Sequence, residues 1–150
     1  MGQNISKIII KIIALMYALA VLYITILSPY RYSGIFDAGN VNLRPFSDKW
    51  VFISNFPNLR DNQKLFIIKE IGGNFLLLVP FTWFIYAFFN ARIKKVKMAF
   101  FLVLVALCIE NLQFWLRIGT FDIDDIILNI AGGLLGFFLF DVVHKRNSIK

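Results

Sequence analysis

The chain has almost none of the residues on which thiol, imidazole and disulfide chemistry depend. It contains one cysteine and one histidine among 150 residues. A disulfide framework, a histidine-based catalytic triad and a zinc site of cysteines and histidines are therefore excluded. Cys108 lies within a long apolar stretch, as is typical of a small packing residue. His144 follows the last apolar stretch, as expected of a solvated residue that flanks a membrane.

Acidic residues are also scarce, whereas apolar residues are abundant. Nine aspartates and glutamates stand against 16 lysines and arginines, which gives a net charge of +7. A chain that is 59% hydrophobic exceeds the roughly 45–50% apolar content of soluble domains, so lipid must cover part of it. The basic residues cluster between apolar segments, where anionic headgroups and topology explain them, and we expect no nucleic acid partner.

Long apolar segments predict an all-α, polytopic membrane protein with four transmembrane helices, in a single domain of residues 1–150. The predicted spans cover about residues 8–28, 71–89, 98–116 and 126–143. Each is close to the roughly 20 residues that cross a bilayer. Lysine and arginine are densest near the N-terminus, in the 90–97 turn and at the C-terminus. This distribution predicts that both termini are cytoplasmic and that the other two connections face outward.

The connection between the first two predicted spans is the least membrane-like part of the chain. Residues 29–60 contain Gly34, Gly39, Pro45 and Pro57, which interrupt any long helix. The same segment is too rich in aromatic residues for a disordered linker. We therefore expect a partly ordered outward loop that folds back onto the membrane surface or over the helices.

A polar stretch between the third and fourth spans is the strongest functional signal. Residues 110–136 hold four of the nine acidic residues, although apolar spans flank them. Polar groups at a membrane boundary are costly, so function is the first hypothesis for them. Helical spacing places these groups on two faces that meet at one short turn, which predicts a single pocket. The two faces consist of Glu110, Gln113 and Arg117, and of Asp122, Asp125 and Asn129.

The predicted pocket suggests roles for its side chains. Glu110, Asp122 and Asp125 are the candidates for acid/base catalysis or for holding a divalent cation. Arg117 and Arg44 are the candidate partners of a buried carboxylate or of an anionic group. The candidate substrate-binding residues on this side of the membrane are Asn42, Arg44, Asn74, Gln113, Arg117 and Asn129. The alternative is structural: buried pairs fix the helix register, and the aspartates cap the fourth helix.

These motifs, in this order, resemble the VanZ-like family of bacterial membrane proteins over roughly residues 40–140. The resemblance rests on Asn42-Leu-Arg-Pro-Phe46, Gly73-Asn74 with Pro80, Glu110-x-x-Gln113, Arg117 and Asp122-x-Asp124-Asp125-x-x-x-Asn129-x-x-Gly132-x-x-x-Gly136. The chain departs from the family pattern at Thr82, where the family tends to carry a glycine. The resemblance implies a protein of the bacterial cytoplasmic membrane that is linked to glycopeptide antibiotics, chiefly to low-level teicoplanin resistance. It implies no known reaction.

Three mechanisms are compatible with the resemblance and the predicted pocket. In the first, an outward-facing enzyme acts on an anionic lipid or on a lipid-linked cell-wall precursor. In the second, the pocket binds a lipid, or the acyl chain of the lipoglycopeptide, without chemistry and so sequesters it. In the third, the protein is a small-solute transporter, although four helices leave little room for alternating access. Membrane lipids are the expected partners in the first two.

Overall fold

A computed structural model describes residues 2–27, 40–89 and 93–148. Residues 28–39 of the predicted loop, and residues 90–92 of the predicted basic turn, lie outside the described residues. The helices and strands in chain order are α1 (Gly2–Leu22), a π-helical turn (Tyr23–Leu27), β1 (Val41–Asn42), α2 (Ser47–Ser54), a 3-10 turn (Phe56–Asn58), α3 (Asp61–Leu77), α4 (Val79–Phe88), α5 (Lys95–Trp115), β2 (Phe121–Asp122) and α6 (Ile123–Ser148).

Four helical segments are long and apolar enough to cross a membrane, which confirms the predicted all-α, four-span fold. They are Ile8–Leu27, Asp61–Phe88, Lys95–Trp115 and Ile123–His144. The helix of the second segment begins at Asp61, ahead of the predicted span of about residues 71–89, because the charged residues after Asp61 continue directly into the apolar helix. Its 28 residues extend about 42 Å at 1.5 Å per residue, more than the roughly 30 Å of a hydrocarbon core. Its first turns therefore lie beyond the hydrocarbon.

The second segment breaks at Pro80, which separates α3 from α4. Proline has no N–H to donate to the carbonyl one turn earlier, and its ring clashes with that carbonyl. Here the Tyr17 hydroxyl of α1 donates a hydrogen bond to the carbonyl of Leu77, and the backbone of Phe81 hydrogen-bonds to the same hydroxyl. A side chain from the first span thus binds the carbonyl of Leu77, next to the Leu76 carbonyl that Pro80 leaves without its helical donor, and it fastens α1 to the kink.

α6 is the central helix and packs against α3, α4 and α5. Close approach requires glycine on its contact face: a Cβ on Gly132 would lie 1.6 Å from the carbonyl oxygen of Phe75. A Cβ on Gly136 would lie 2.6 Å from Oγ1 of Thr82. Thr82, the departure from the family pattern, is fully buried and donates its hydroxyl to the carbonyl of Val79 at 2.7 Å. The hydroxyl is thereby satisfied within the helix interface.

A short parallel strand pair joins the loop after the first span to the turn before α6. Val41 lies opposite Phe121 and Asn42 opposite Asp122. The N–H of Phe121 also donates to the carbonyl of Asn40 at 2.9 Å. This pairing fixes the Asn42 segment beside the start of α6, and hydropathy gave no sign of it.

Candidate functional site

The centre of the polar cluster is Lys49 of α2, which the sequence did not single out. Its Nζ lies 2.7 Å from Oδ2 of Asp122, 3.0 Å from Oδ1 of Asp125 and 3.5 Å from Oδ2 of Asp124. Lys49 is only 7% exposed, and Asp124 is fully buried. A loop helix therefore places one ammonium group among three carboxylates from the start of α6. We call the end of the bundle that carries this cluster, with Glu70, the acidic end.

The environment of Lys49 keeps its side chain charged. Burial alone would lower the pKa of the Lys49 ammonium, because a charged group loses hydration there. The negative charges of Asp125 and Asp122, and the hydrogen bonds they accept, outweigh burial and raise the pKa above its usual value. Lys49 is consequently cationic at neutral pH, and among the described residues it is the cation that pairs with these carboxylates.

Asp122 and Asp124 also organise the backbone around them. Oδ1 of Asp122 accepts the N–H of Asp124 at 2.9 Å and lies 3.4 Å from the amide nitrogen of Asn42. Oδ1 of Asp124 accepts the N–H of Phe46 at 2.6 Å, where the Phe46 backbone has a left-handed φ of 58°. The contact between Asp122 and the Asp124 N–H matches the predicted capping role at the first turn of α6, whereas Asp124 binds the loop instead. They also hold the loop segment against the bundle.

Glu110 and Gln113 are buried in α5, and each contacts a different partner. Glu110 is 1% exposed, and its Oε2 accepts the backbone N–H of Asp122 at 3.2 Å. The Gln113 amide is likewise buried and donates to the carbonyl of Thr25, in the π-helical turn, at 3.0 Å. The two side chains therefore tie α5 to the start of α6 and to the end of the first span.

The predicted arginine partners lie elsewhere. Arg44 and Arg117 are both exposed, and neither forms an ion pair with a carboxylate among the described residues. Arg117 has a φ of 53°. Its N–H donates to Phe114 while that of Ile118 donates to Gln113, the pattern that ends a helix with a left-handed residue. The predicted pairing of an arginine with Glu110 is thus corrected: Glu110 accepts the backbone N–H of Asp122, and Lys49 is the cation that contacts Asp122, Asp124 and Asp125.

The predicted asparagines occupy three different places. Asn42 bridges the strand pair and its own loop, since its Oδ1 also accepts the N–H of Arg44 at 3.1 Å. Asn129 is fully buried, and its amide nitrogen donates to the carbonyl of Asp125, one turn earlier, at 2.8 Å. Asn74 lines the cavity described below.

Three carboxylates lie close enough to share a cation, but they differ from the predicted set. Oxygens of Glu70, Asp122 and Asp125 all lie within 4.8 Å of one another. The sequence had placed Glu110 where Glu70 stands. Carboxylate oxygens suit Mg²⁺ or Ca²⁺. However, the Lys49 ammonium already contacts the two aspartates, so a side chain of the chain itself supplies the positive charge at this position.

A cavity of about 610 Å³ opens beside this cluster, between the first span and α3. Its walls are mostly apolar side chains of the first span and α3. The polar side chains of its lining are those of Tyr17, Thr25, Lys69, Glu70, Asn74 and Asp125. Asp125 therefore belongs both to the Lys49 cluster and to the cavity wall. The arrangement combines an apolar surface with a few convergent polar groups, as small-molecule sites do.

The fold and the cluster define a four-span membrane protein whose acidic end joins a buried ion-pair network to an apolar cavity. The chain belongs to the VanZ/LLP1 family, whose model matches residues 14–144. It is 35% identical over 86 residues to Protein VanZ of Enterococcus faecium. That alignment covers 55% of this chain and 50% of the relative, so the chain spans about half the length of this curated relative. No solved structure matches the chain.

The sequence-based prediction of site residues missed both Lys49 and Glu70. A signal for Lys49 did exist, because it is a single cation beside the apolar run Trp50-Val-Phe-Ile53. A charge next to four apolar residues in a membrane protein indicates a partner. No local pattern could say that the partner lies more than 70 residues away, at the start of α6.

Proposed function

We propose that the protein binds an anionic lipid or a lipid-linked cell-envelope substrate at the acidic end and thereby contributes to low-level resistance to teicoplanin. Membership of the VanZ/LLP1 family supports the link to this antibiotic. The cavity beside the Lys49 cluster supports a ligand with an apolar chain and a polar head.

The single observation that carries the proposal is that the cavity wall combines an apolar part with a part that carries carboxylates. Leu76, Leu77 and Pro80 offer an apolar surface to an acyl chain, while Glu70 and Asp125 offer carboxylates to a headgroup. A volume of about 610 Å³ lies within the roughly 300–1,000 Å³ of small-molecule sites. Such a wall matches an amphiphile better than a small polar solute, which makes transport the weaker hypothesis.

The charges of the lining suggest how a headgroup would be recognised. Lys69 is exposed at the cavity and is the cation that would meet a lipid phosphate. Glu70 and Asp125 would accept hydrogen bonds from hydroxyl or amine groups of the same headgroup. These two carboxylates are also the acid/base candidates that the cavity exposes, whereas Glu110 is buried away from its lining.

The proposal also includes an orientation of the protein in the membrane. Both termini would lie in the cytoplasm, because the densest lysines and arginines flank the end of the bundle opposite the cluster. The acidic end would then face the cell envelope, where both the antibiotic and the cell-wall precursors are exposed.

Two adjacent glycines provide a matched pair for testing the cavity. A Cβ on Gly72 or on Gly73 would meet nothing within 4 Å, so each position tolerates a side chain. Only Gly73 belongs to the cavity lining. We expect Gly73→Leu to abolish the increase in teicoplanin resistance that the wild type confers over an empty vector, because the leucine would occupy the cavity. Gly72→Leu should retain it.

Resistance is measured as the minimal inhibitory concentration of teicoplanin at matched amounts of membrane protein, and lipid retained after purification is measured by mass spectrometry. Full resistance and full lipid retention in Gly73→Leu would refute the cavity as the site. The variant Glu70→Gln then distinguishes binding of the lipid from its chemical modification. If this variant retains lipid but loses resistance, the Glu70 carboxylate takes part in a reaction.

A non-enzymatic scaffold is the second candidate, and a specific observation favours it. The contacts of the polar cluster hold the loop to the bundle, and they are made by Lys49, Asp122 and Asp124. In that case resistance would follow the amount of folded protein in every variant, and neither Gly73→Leu nor Glu70→Gln would lower it separately.

A further inference from the structure

The short helix α2 has an apolar surface on nearly every side. After Lys49, the four residues Trp50, Val51, Phe52 and Ile53 are all exposed, by between 42% and 67%. Successive residues of a helix point about 100° apart, so four consecutive positions cover most of its circumference. An apolar surface of this kind is unfavourable in water. Contiguous exposed apolar patches therefore indicate contact with a partner or a membrane.

The contacts of α2 fix its depth relative to the spans. Nζ of Lys49 is bound at 2.7 Å to Asp122, directly before the span that begins at Ile123. The N–H of Phe46, at the start of α2, is bound to Asp124 in the first turn of the same helix. A lysine side chain is short compared with a bilayer, so α2 must lie at the level where α6 enters the membrane.

We propose that α2 lies in the headgroup layer of the bilayer at the acidic end, with its Trp50–Ile53 surface in contact with lipid. The neighbouring surfaces support lipid rather than a protein partner. The spans also expose apolar residues at the same end of the bundle, at Leu65 and Ile68 of α3 and at Leu112, Trp115 and Leu116 at the end of α5. Tryptophan suits this layer, because it combines an apolar ring with a polar N–H.

The proposal gives Lys49 a positional role that does not depend on the proposed function. The ammonium group pins a lipid-embedded helix to the first turn of α6. The polar ends of α2, Ser47 and Ser54, would then lie near water, and the apolar middle would lie in lipid. A soluble outward loop, in contrast, would leave Trp50 in water.

Tryptophan fluorescence tests the depth of α2 directly, because the chain has only three tryptophans. The double variant Trp83→Phe and Trp115→Phe leaves Trp50 as the emitter, in protein reconstituted into phosphatidylglycerol-containing phosphatidylcholine vesicles. We expect blue-shifted emission that is quenched about twofold more by lipid brominated near the glycerol end than by lipid brominated near the methyl end, as for headgroup-level tryptophan. Aqueous iodide should quench it weakly.

Each other result overturns the proposal. Strong iodide quenching without bromolipid quenching would place α2 in water. Protection from both quenchers would mean that protein, such as a second copy of the chain, covers α2. Stronger quenching by the deep bromolipid would place α2 in the hydrocarbon. If the double variant does not fold, the Trp50 signal is obtained as the difference between the wild type and Trp50→Phe.

The matched control is a protein that retains only Trp83, made with Trp50→Phe and Trp115→Phe. The Trp83 ring packs against Phe84 and Phe140, with ring centroids 5.0 and 6.1 Å away. Its emission should therefore be protected from iodide in the same vesicles. This control shows that the iodide assay distinguishes a ring packed in the bundle from one in water.

Discussion

Lys49 is the residue on which the arrangement of the acidic end depends. Its ammonium contacts the carboxylates of Asp122 in β2 and of Asp124 and Asp125 in the first turn of α6, and each of these groups has little exposure to water. Buried carboxylates need a counter-charge, because desolvation is expensive for an ionised group. Among the described residues, Lys49 is therefore the counter-charge that lets Asp122, Asp124 and Asp125 lie together.

Replacing Lys49 by methionine should destabilise the protein strongly. Methionine keeps much of the side-chain volume but leaves the carboxylates without their cation, so we expect a loss of about 3–5 kcal/mol, as for other broken buried pairs. Unfolding of the purified protein in detergent, followed by circular dichroism, measures this change. The double variant Lys49→Met and Asp122→Asn should recover part of the loss, because it removes one of the repelling charges.

Lys95→Met is the matched control, since Lys95 is an exposed lysine at the opposite end of the bundle. It should leave the free energy of unfolding almost unchanged. Equal, small effects of the substitutions at Lys49 and Lys95 would mean that the carboxylates are protonated or hydrated, and that the ion-pair description of the cluster is wrong.

At the scale of helices, α6 owes its central position to glycines that let α3 and α4 approach its backbone. The spacing Gly132-x-x-x-Gly136 indicated close helix packing from the sequence alone. The structure identifies the partner surfaces as the carbonyl of Phe75 and the side chain of Thr82. The adjacent pair Gly72 and Gly73 on α3 has no such contact. Glycines that look alike in the sequence therefore serve different purposes.

Gly132→Ala and Gly72→Ala should change stability in opposite directions. The added methyl at position 132 would meet a backbone oxygen that cannot move without shifting α3, so we expect a loss of about 1–3 kcal/mol or more. Alanine at position 72 meets open space and improves helix propensity, so we expect a gain of about 0.5–1 kcal/mol. Unfolding in detergent measures both. A harmless Gly132→Ala would refute the close α3–α6 contact.

At the scale of the whole molecule, three spans pack closely and the first span is held more loosely. α6 contacts α3, α4 and α5 extensively, whereas α1 exposes large apolar residues along its length. Among the described residues, polar links fasten the first span at two places: Tyr17 binds the α3–α4 break, and the carbonyl of Thr25 accepts a hydrogen bond from Gln113. The cavity lies between this span and α3, so its shape depends on the least tightly packed helix.

The proposed orientation predicts which ends of the bundle react with a membrane-impermeant maleimide. Asn55→Cys at the acidic end and Lys95→Cys at the opposite end are introduced separately into a Cys108→Ser background; both positions are exposed. In intact bacterial cells we expect labelling of Asn55→Cys at once, and of Lys95→Cys only after permeabilisation. The reverse pattern would place the acidic end in the cytoplasm and exclude contact with envelope substrates from outside.

The sequence by itself determined the four spans, the all-α class and the polar identity of the α5–α6 turn. These properties depend on local composition and spacing: an apolar segment of about 20 residues must cross lipid wherever it lies in the fold. Capping by Asp122 and the close-packing glycines of α6 were likewise local, because each depends on residues within one or two helical turns.

Tertiary structure alone decided which polar groups meet. Lys49 reaches Asp122, Glu70 takes the place predicted for Glu110, and Arg117 ends α5 with its side chain exposed instead of neutralising a carboxylate. Periodicity places a residue on a helix face but does not say which distant segment packs there. That choice follows from the β1–β2 pairing and from the break at Pro80, which set where the loop and α3 lie against α6.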